Sequence, residues 1–246
     1  MIWLACALLL TLAFLHWRYA WWLPAVDEHA PRILMYHMVS EHRPGAKFNK
    51  LRVPPSQFEQ QLRWLQNRGW TFMTLQELFA AGGQHPRKTV VLTFDDGYAD
   101  NFTNAWRLMR EYNAKGTLYL VVDRHDRDWS TYKKAHHDSG ELAREPKLSD
   151  TQVQTMLDSG LIELGGHTWT HANLARLDTA AREHEIAASR VALQAQFGVN
   201  VDSFAYPFGI YTPADPPAVA AAGYQHAVTT QEGIEIDWQN RPYELR

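Results

Sequence analysis

The sequence has almost no cysteine: Cys6 is the only one in 246 residues. A disulfide framework and a cysteine-rich zinc site are therefore both excluded. An excess of positive charge is missing as well. Lys and Arg total 24 against 27 Asp and Glu, a formal net charge of −3, so the basic footprint of a nucleic-acid binder is absent. No internal repeat or low-complexity tract is present. With 46% hydrophobic and 21% charged residues, the composition is that of a globular chain rather than a disordered one. The length allows one to two domains with a sizeable core. Twelve histidines are available for metal or acid/base chemistry.

Basic residues are also missing from the start of the chain, where no Lys or Arg precedes Arg18. From Met1 to Leu15 only Thr11 interrupts an apolar run that contains Cys6, read here as a small hydrophobe. A helix through Leu23 would span about 34 Å at roughly 1.5 Å per residue, enough to cross a hydrocarbon core of about 30 Å. Trp17, Tyr19, Trp21 and Trp22 suit the headgroup zone. A cleaved signal peptide would carry a basic leading region and an A-x-A-like site, and neither is present. These features predict a transmembrane signal-anchor over residues 1–24, a polar linker over 25–31 and a folded domain over 32–246. The positive-inside rule gives only a weak orientation, in which Arg18 would hold its side in the cytoplasm.

Within the domain, strand-like runs at 33–39, 90–94, 117–122, 162–164, 203–206 and 227–229 alternate with helix-like stretches. The helical candidates are 55–67, 100 to about 112, 149–159 and 179–197. Pro55 suits a first turn, Asp100 an N-cap, and Gly69, Gly160 and Gly198 act as stops. Repeated βα units imply an α/β fold with a largely parallel sheet, open or closed into a barrel. Residues 123–146 break this rhythm. The segment is long and polar, with His125, Lys133, Lys134, His136 and His137, and reads as a solvated insertion or a substrate-facing loop.

Chemistry gathers at the predicted strand ends. Thr93-Phe94-Asp95-Asp96-Gly97 places two carboxylates together, which resist joint ionisation unless a cation or hydrogen bonds intervene. His167-Thr168-Trp169-Thr170-His171 offers two histidines four residues apart, able to share one divalent ion with an aspartate. Phe204-Ala205-Tyr206-Pro207-Phe208-Gly209 leads a strand into a Pro/Gly turn that can aim backbone N–H groups inward. Taken singly, each is compatible with an ordinary turn or loop.

In combination and order, the three clusters resemble the first three motifs of the polysaccharide deacetylase family, also called the NodB-homology or carbohydrate esterase family 4 domain. The resemblance runs from about Arg32 to the end of the chain. It implies a distorted (β/α) barrel that removes acetyl groups from envelope or extracellular sugars with a divalent metal, zinc first and cobalt, nickel or manganese as alternatives. Carried over, Asp96, His167 and His171 become the metal ligands and Asp95 the general base, with the backbone N–H near Phe208 helping to hold the oxyanion. Two departures stand out. Ala205 occupies the usual position of an arginine, and no late Leu-His element supplies the general acid. The run Leu34-Met35-Tyr36-His37 resembles the form of that element found at the first strand in poly-N-acetylglucosamine deacetylases, which makes His37 the expected acid. No residue is assigned to tune the base. Trp169, Tyr206 and Trp129 are candidate substrate contacts. The expected partners are an N-acetylated amino-sugar polymer or glycolipid and, through the first helix, the bacterial inner membrane with the domain outside the cytoplasm. A peptidoglycan deacetylase, a deformylase on the same scaffold and a site that only binds sugar are the alternatives.

Overall fold

The computed structural model describes residues 2–19, 25–128, 133 and 139–246. Its centre is β3 (Thr89–Asp95), buried at every position. A strand with neighbours on both edges and layers on both faces needs such a near-continuous apolar run. Alternation still divides it. Val90, Leu92 and Phe94 face the outer core, whereas Val91 turns into a separate inner cluster, and Thr93 and Asp95 share its side of the strand.

Among the described residues, seven parallel strands form one sheet. β1 (Arg32–Tyr36) pairs with β3 from Arg32↔Val90 to Tyr36↔Phe94. The short β2 (Thr71–Met73) pairs with Thr89–Val91, and β4 (Gly116–Leu120) takes over from Leu92 to Asp95. β5 (Ile162–Gly166), β6 (Ser203–Ala205) and β7 (His226–Val228) complete the order β1-β3-β4-β5-β6-β7. Ile33 and Met35 of β1 line the same cleft as Val228 of β7, so the sheet curls into an incomplete barrel.

Helices form at the expected stretches 55–67 and 149–159, and at several places where none was expected. α1 is Ile2–Tyr19, α2 is Pro55–Asn67 with Pro55 in its first turn, and α3 is Leu75–Ala81 behind a Thr74–Glu77 capping box. α4 is Arg107–Glu111, α5 Glu141–Arg144 and α6 Asp150–Asp158, the last capped by Ser149. The predicted helix over 179–197 is α7 (Thr179–Glu183) and α8 (Ser189–Phe197), joined by a π-helical turn at His184–Ala188. α9 is Asp215–Ala221.

Phe58 and Leu62 of α2, Val153 and Met156 of α6, Leu193 and Phe197 of α8 and Val219 of α9 cover the outer face of the sheet. Inside, Leu75 and Leu78 of α3 pack with Val91, Tyr119, Trp238 and Leu245 and close the amino ends of the strands. Burying a leucine so completely contributes roughly 1.5–3 kcal/mol.

One expectation changes. Residues 100–112 are not a plain helix: a π-helical turn at Asn101–Trp106 precedes α4, and the Asp100 side chain caps no helical N–H. Of the membrane helix expected over residues 1–24, the 18 residues of α1 are described, about 27 Å at roughly 1.5 Å per residue, and residues 20–24 lie outside the described residues. Among the described residues, no helix is long and apolar enough to cross a membrane. Trp3, Leu4, Leu8 to Leu10 and Phe14 are nonetheless exposed. Residues 25–31 are tied to the domain, with Lys88 N–H donating to the Glu28 carbonyl at 2.8 Å.

Candidate active site

Asp95 closes β3 on the inner face, and alternation would send Asp96 outward. Two consecutive left-handed residues prevent this: φ is +75° at Asp96 and +74° at Gly97. The chain reverses within one step and brings both carboxylates to the same end of the sheet. Gly97 also has no room for a side chain, since a Cβ there would lie 2.5 Å from Leu120 Cδ1.

The histidines are delivered by β5. At Gly166 a Cβ would sit 2.1 Å from the Tyr224 hydroxyl, so the strand end can pass that ring only as glycine. Beyond it, Thr168 and His171 are again left-handed, with φ of +65° and +59°. Non-glycine residues adopt this conformation only when their surroundings impose it, and such residues gather at functional sites. Glu185, on the π-helical turn, does the imposing. Its Oε2 accepts the N–H groups of Trp169 and Thr170 at 2.9 Å each, and Oε1 accepts the Thr170 hydroxyl at 2.7 Å.

Asp96 Oδ1 then lies 3.2 Å from His171 Nε2 and 3.4 Å from His167 Nε2. One oxygen and two nitrogens from three buried residues fall within 4.8 Å of one another. His167 Nδ1 donates to the Ala205 carbonyl at 2.8 Å, which fixes the ring and leaves Nε2 as the nitrogen on the Asp96 side. This donor set fits a divalent ion such as zinc, cobalt, nickel or manganese.

Burial opposes every charge in the group. It raises the Asp95 carboxyl above the ordinary aspartate range, although His37 and His167 pull it back. It lowers the His171 imidazole to about 4, leaving that ring neutral as a ligand must be. For Asp96 burial is outweighed by the imidazoles of His171 and His167, which hold it well below the usual range. Asp95 Oδ1 is buried with no hydrogen-bond partner among the described residues.

A cavity of about 350 Å³ joins these groups. It is lined by His37, Asp95, Asp96, His167 and His171, and by Tyr206, Phe208, Met35 and Leu142. His37 enters from the first residue past β1 rather than from within a strand, as 33–39 had suggested. Phe208 is left-handed at φ +61°, and its ring meets His171 edge-on at 4.5 Å. Lys133 and Leu142 bring the 123–146 segment to the cavity mouth, so its described part faces the site.

The substrate candidates divide. Tyr206 lines the cavity, but its hydroxyl donates to the Tyr243 carbonyl at 3.1 Å, so it offers a ring face rather than a hydrogen bond. Trp169 is not among the lining residues: it is half-buried, leans on His184 at 5.9 Å and holds Glu185 through its backbone. Trp129 lies outside the described residues. Ala205 and Asp95 line a second, adjoining cleft of about 250 Å³ between β1 and β7. Glu185 was missed in the sequence because its partners are fifteen and sixteen residues away and nothing local marks them.

Comparison with known proteins supplies relatives. A sequence model described as polysaccharide deacetylase matches residues 82–227. The Bacillus subtilis protein YxkH, named as a polysaccharide deacetylase, is 30% identical over 204 residues, covering 82% of this chain and 64% of its own. A Staphylococcus aureus poly-β-1,6-N-acetyl-D-glucosamine N-deacetylase is 23% identical over 190 residues, 73% of this chain and 61% of its own. The chain thus spans under two thirds of the length of these relatives. Among solved structures, the Streptococcus pyogenes deacetylase PplD in complex with acetate superposes with a TM-score of 0.73 at 26% identity, covering 90% of this chain and 91% of that one. A polysaccharide deacetylase from Bacillus cereus gives 0.71 at 27% identity over 87% and 63%.

Proposed function

The chain belongs to the polysaccharide deacetylase family, and on that premise we propose that it hydrolyses N-acetyl groups on amino sugars of a bacterial envelope or extracellular polysaccharide or glycolipid. The observation that carries this reading is the meeting of Asp95, His37 and the Asp96–His167–His171 group around one cavity. The Staphylococcus aureus relative, whose name specifies an N-acetylated amino-sugar polymer, supports the choice of sugar.

Asp96, His167 and His171 would hold the divalent ion, which when bound supplies Lewis-acid polarisation of the acetyl carbonyl and the attacking water. Asp95 takes the proton from that water. Its free Oδ1 and raised affinity for a proton suit a base, and it needs no ligand role because Asp96 fills that one. The backbone N–H at Phe208 stabilises charge on the carbonyl oxygen. His37 in its protonated form gives a proton to the departing amine nitrogen, a poor leaving group without it. Met35, Leu142 and the rings of Tyr206 and Phe208 exclude water from the rest of the cavity. The exposed apolar side chains of α1 support attachment to the bacterial inner membrane, with the domain on the outer side where such polymers lie.

The test is acetate release from N-acetylglucosamine oligomers by the full chain, measured before chelation, after it and after return of zinc. Metal-dependent release that Asp95→Asn lowers by about 10²- to 10⁴-fold is expected. No acetate from folded, zinc-loaded protein overturns the reading. Release from peptidoglycan fragments alone, or of formate from formylated amino sugars, transfers the activity to those substrates.

A further inference from the structure

His37 stands where the sheet stops holding the chain. β1 pairs with β3 only as far as Tyr36↔Phe94, so backbone hydrogen bonding between the strands ends one residue before the expected acid. Met38 is held by backbone, its N–H donating to the Leu51 carbonyl and its carbonyl accepting the Val53 N–H at 2.9 Å each, and on either side of it His37 and Val39 are held by side chains for which the proposed mechanism has no use. Asn101 Nδ2 donates to the His37 carbonyl at 2.8 Å. Asn104 Nδ2 donates to the Val39 carbonyl at 2.7 Å, and the Val39 N–H donates to Asp100 Oδ1 at 3.2 Å. Asn101 and Asp100 are themselves joined at 3.3 Å.

The local sequence gains little from this arrangement. Asparagine is a poor residue for a helix interior, and Asp100, placed where it looks like a cap, satisfies no helical N–H. The stretch Asn101–Trp106 is instead wound as a π-helix, a form that recurs at functional sites. Asn101 is 1% exposed, and its Oδ1 has no hydrogen-bond partner among the described residues, so burying this amide costs stability that the Nδ2 contacts only partly offset. This segment begins five residues after Asp96. The element that carries the base and a metal ligand therefore also grips the backbone of the acid.

We propose that Asn101, seconded by Asp100 and Asn104, is the positioning residue that sets His37 against Asp95 and the scissile bond. The proposal rests on the reading of His37 as the acid. A displacement of about 1 Å in a reacting group can cost on the order of 10²-fold in rate. An acid matters most when the leaving group is poor, so a displaced His37 should penalise an acetamide far more than an activated aryl acetate.

Asn101→Asp, which keeps the shape and turns a donor into an acceptor, and Asn101→Ala are compared with wild type and His37→Ala. Each zinc-loaded full chain is assayed on N-acetylglucosamine oligomers and on 4-nitrophenyl acetate. For both Asn101 variants kcat on the amide should fall about 10- to 100-fold, with KM within threefold and the ester rate within threefold. Amide exchange at Met38 and Val39 should quicken in both, while zinc stoichiometry stays at that of wild type. Unchanged amide turnover, or equal loss on both substrates, overturns the proposal, as does unaltered exchange at Val39. If His37→Ala shows no difference between amide and ester, the assignment of the acid fails, and hydrogen exchange still decides whether Asn101 holds this segment.

Discussion

The two ends of the curled sheet are built to opposite rules. At the amino ends of the strands, α3 plugs the barrel: Leu75 and Leu78 are buried, Trp238 meets Phe79 edge-on at 5.0 Å, and Leu75 N–H donates to Thr117 Oγ1 at 3.1 Å. At the carboxyl ends, Asp96, Thr168, His171 and Phe208 hold left-handed backbone around an open cavity that contains a carboxylate oxygen without a partner. One end fills space, and the other leaves it open around groups able to react. Parallel βα folds separate stability from chemistry in this way because loops at one end can vary while the opposite end keeps the barrel closed.

The largest effect should come from breaking the reactive end at its centre. Asp96→Ala removes the carboxylate between the two imidazoles and should cost at least about 10³-fold in turnover, with zinc binding lost in a titration followed by mass spectrometry. The unfolding midpoint without metal should barely fall, since the substitution also relieves a buried charge. The converse experiment is Leu75→Ala. It should destabilise the protein by about 2–5 kcal/mol in urea denaturation while the folded fraction keeps kcat within twofold.

Glu163 sharpens the contrast, because it is an acid placed at the stabilising end. It is buried, accepts the Gln76 N–H at 2.8 Å and the Thr117 hydroxyl at 3.1 Å, and burial pushes its pKa up to about 7 from 4.5. Between those values the folded protein keeps a proton that the unfolded chain has released. Stability is therefore full below pH 4.5 and is lost as pH rises through 7. Glu163→Gln should remove that loss, gaining on the order of 2 kcal/mol at pH 8 and little at pH 4.5 in thermal melts. The smallest effect belongs to Trp169→Phe. The side chain lies off the cavity, so kcat/KM on oligomers should stay within about threefold of wild type.

Much of this end-to-end plan was legible in the sequence. TFDDG, HTWTH and FAYPFG could be read because each packs its polar groups into five or six residues at a strand end. The strands β3 to β7 could be read as apolar runs, and 55–67 as a helix from its spacing of Phe58, Leu62 and Leu65. The three-residue β2 was too short to register, and α3 went unread although Thr74 and Glu77 form its capping box. Asp100 was misread as a cap because its partner, Val39, is sixty-one residues away. Trp169 lies between His167 and His171, the candidate metal ligands, in sequence, but a left-handed Thr168 sends it elsewhere. Local chemistry was visible, whereas the side chains that aim it act across the fold.

The pairing of β1 with β3 has a consequence in time. Arg32 must wait for Val90 to be made before the first strand has a neighbour, and Phe208 is not synthesised until six strands are complete. During translation the chain therefore passes through a stage in which Asp96, His167 and His171 all exist without the Phe208 wall. Long-range parallel pairings of this kind form slowly and leave strand edges exposed while they wait. A divalent ion captured at that stage would be held by a partial barrel, so the order in which such an ion and the last two strands arrive should govern how much nascent protein reaches the closed fold.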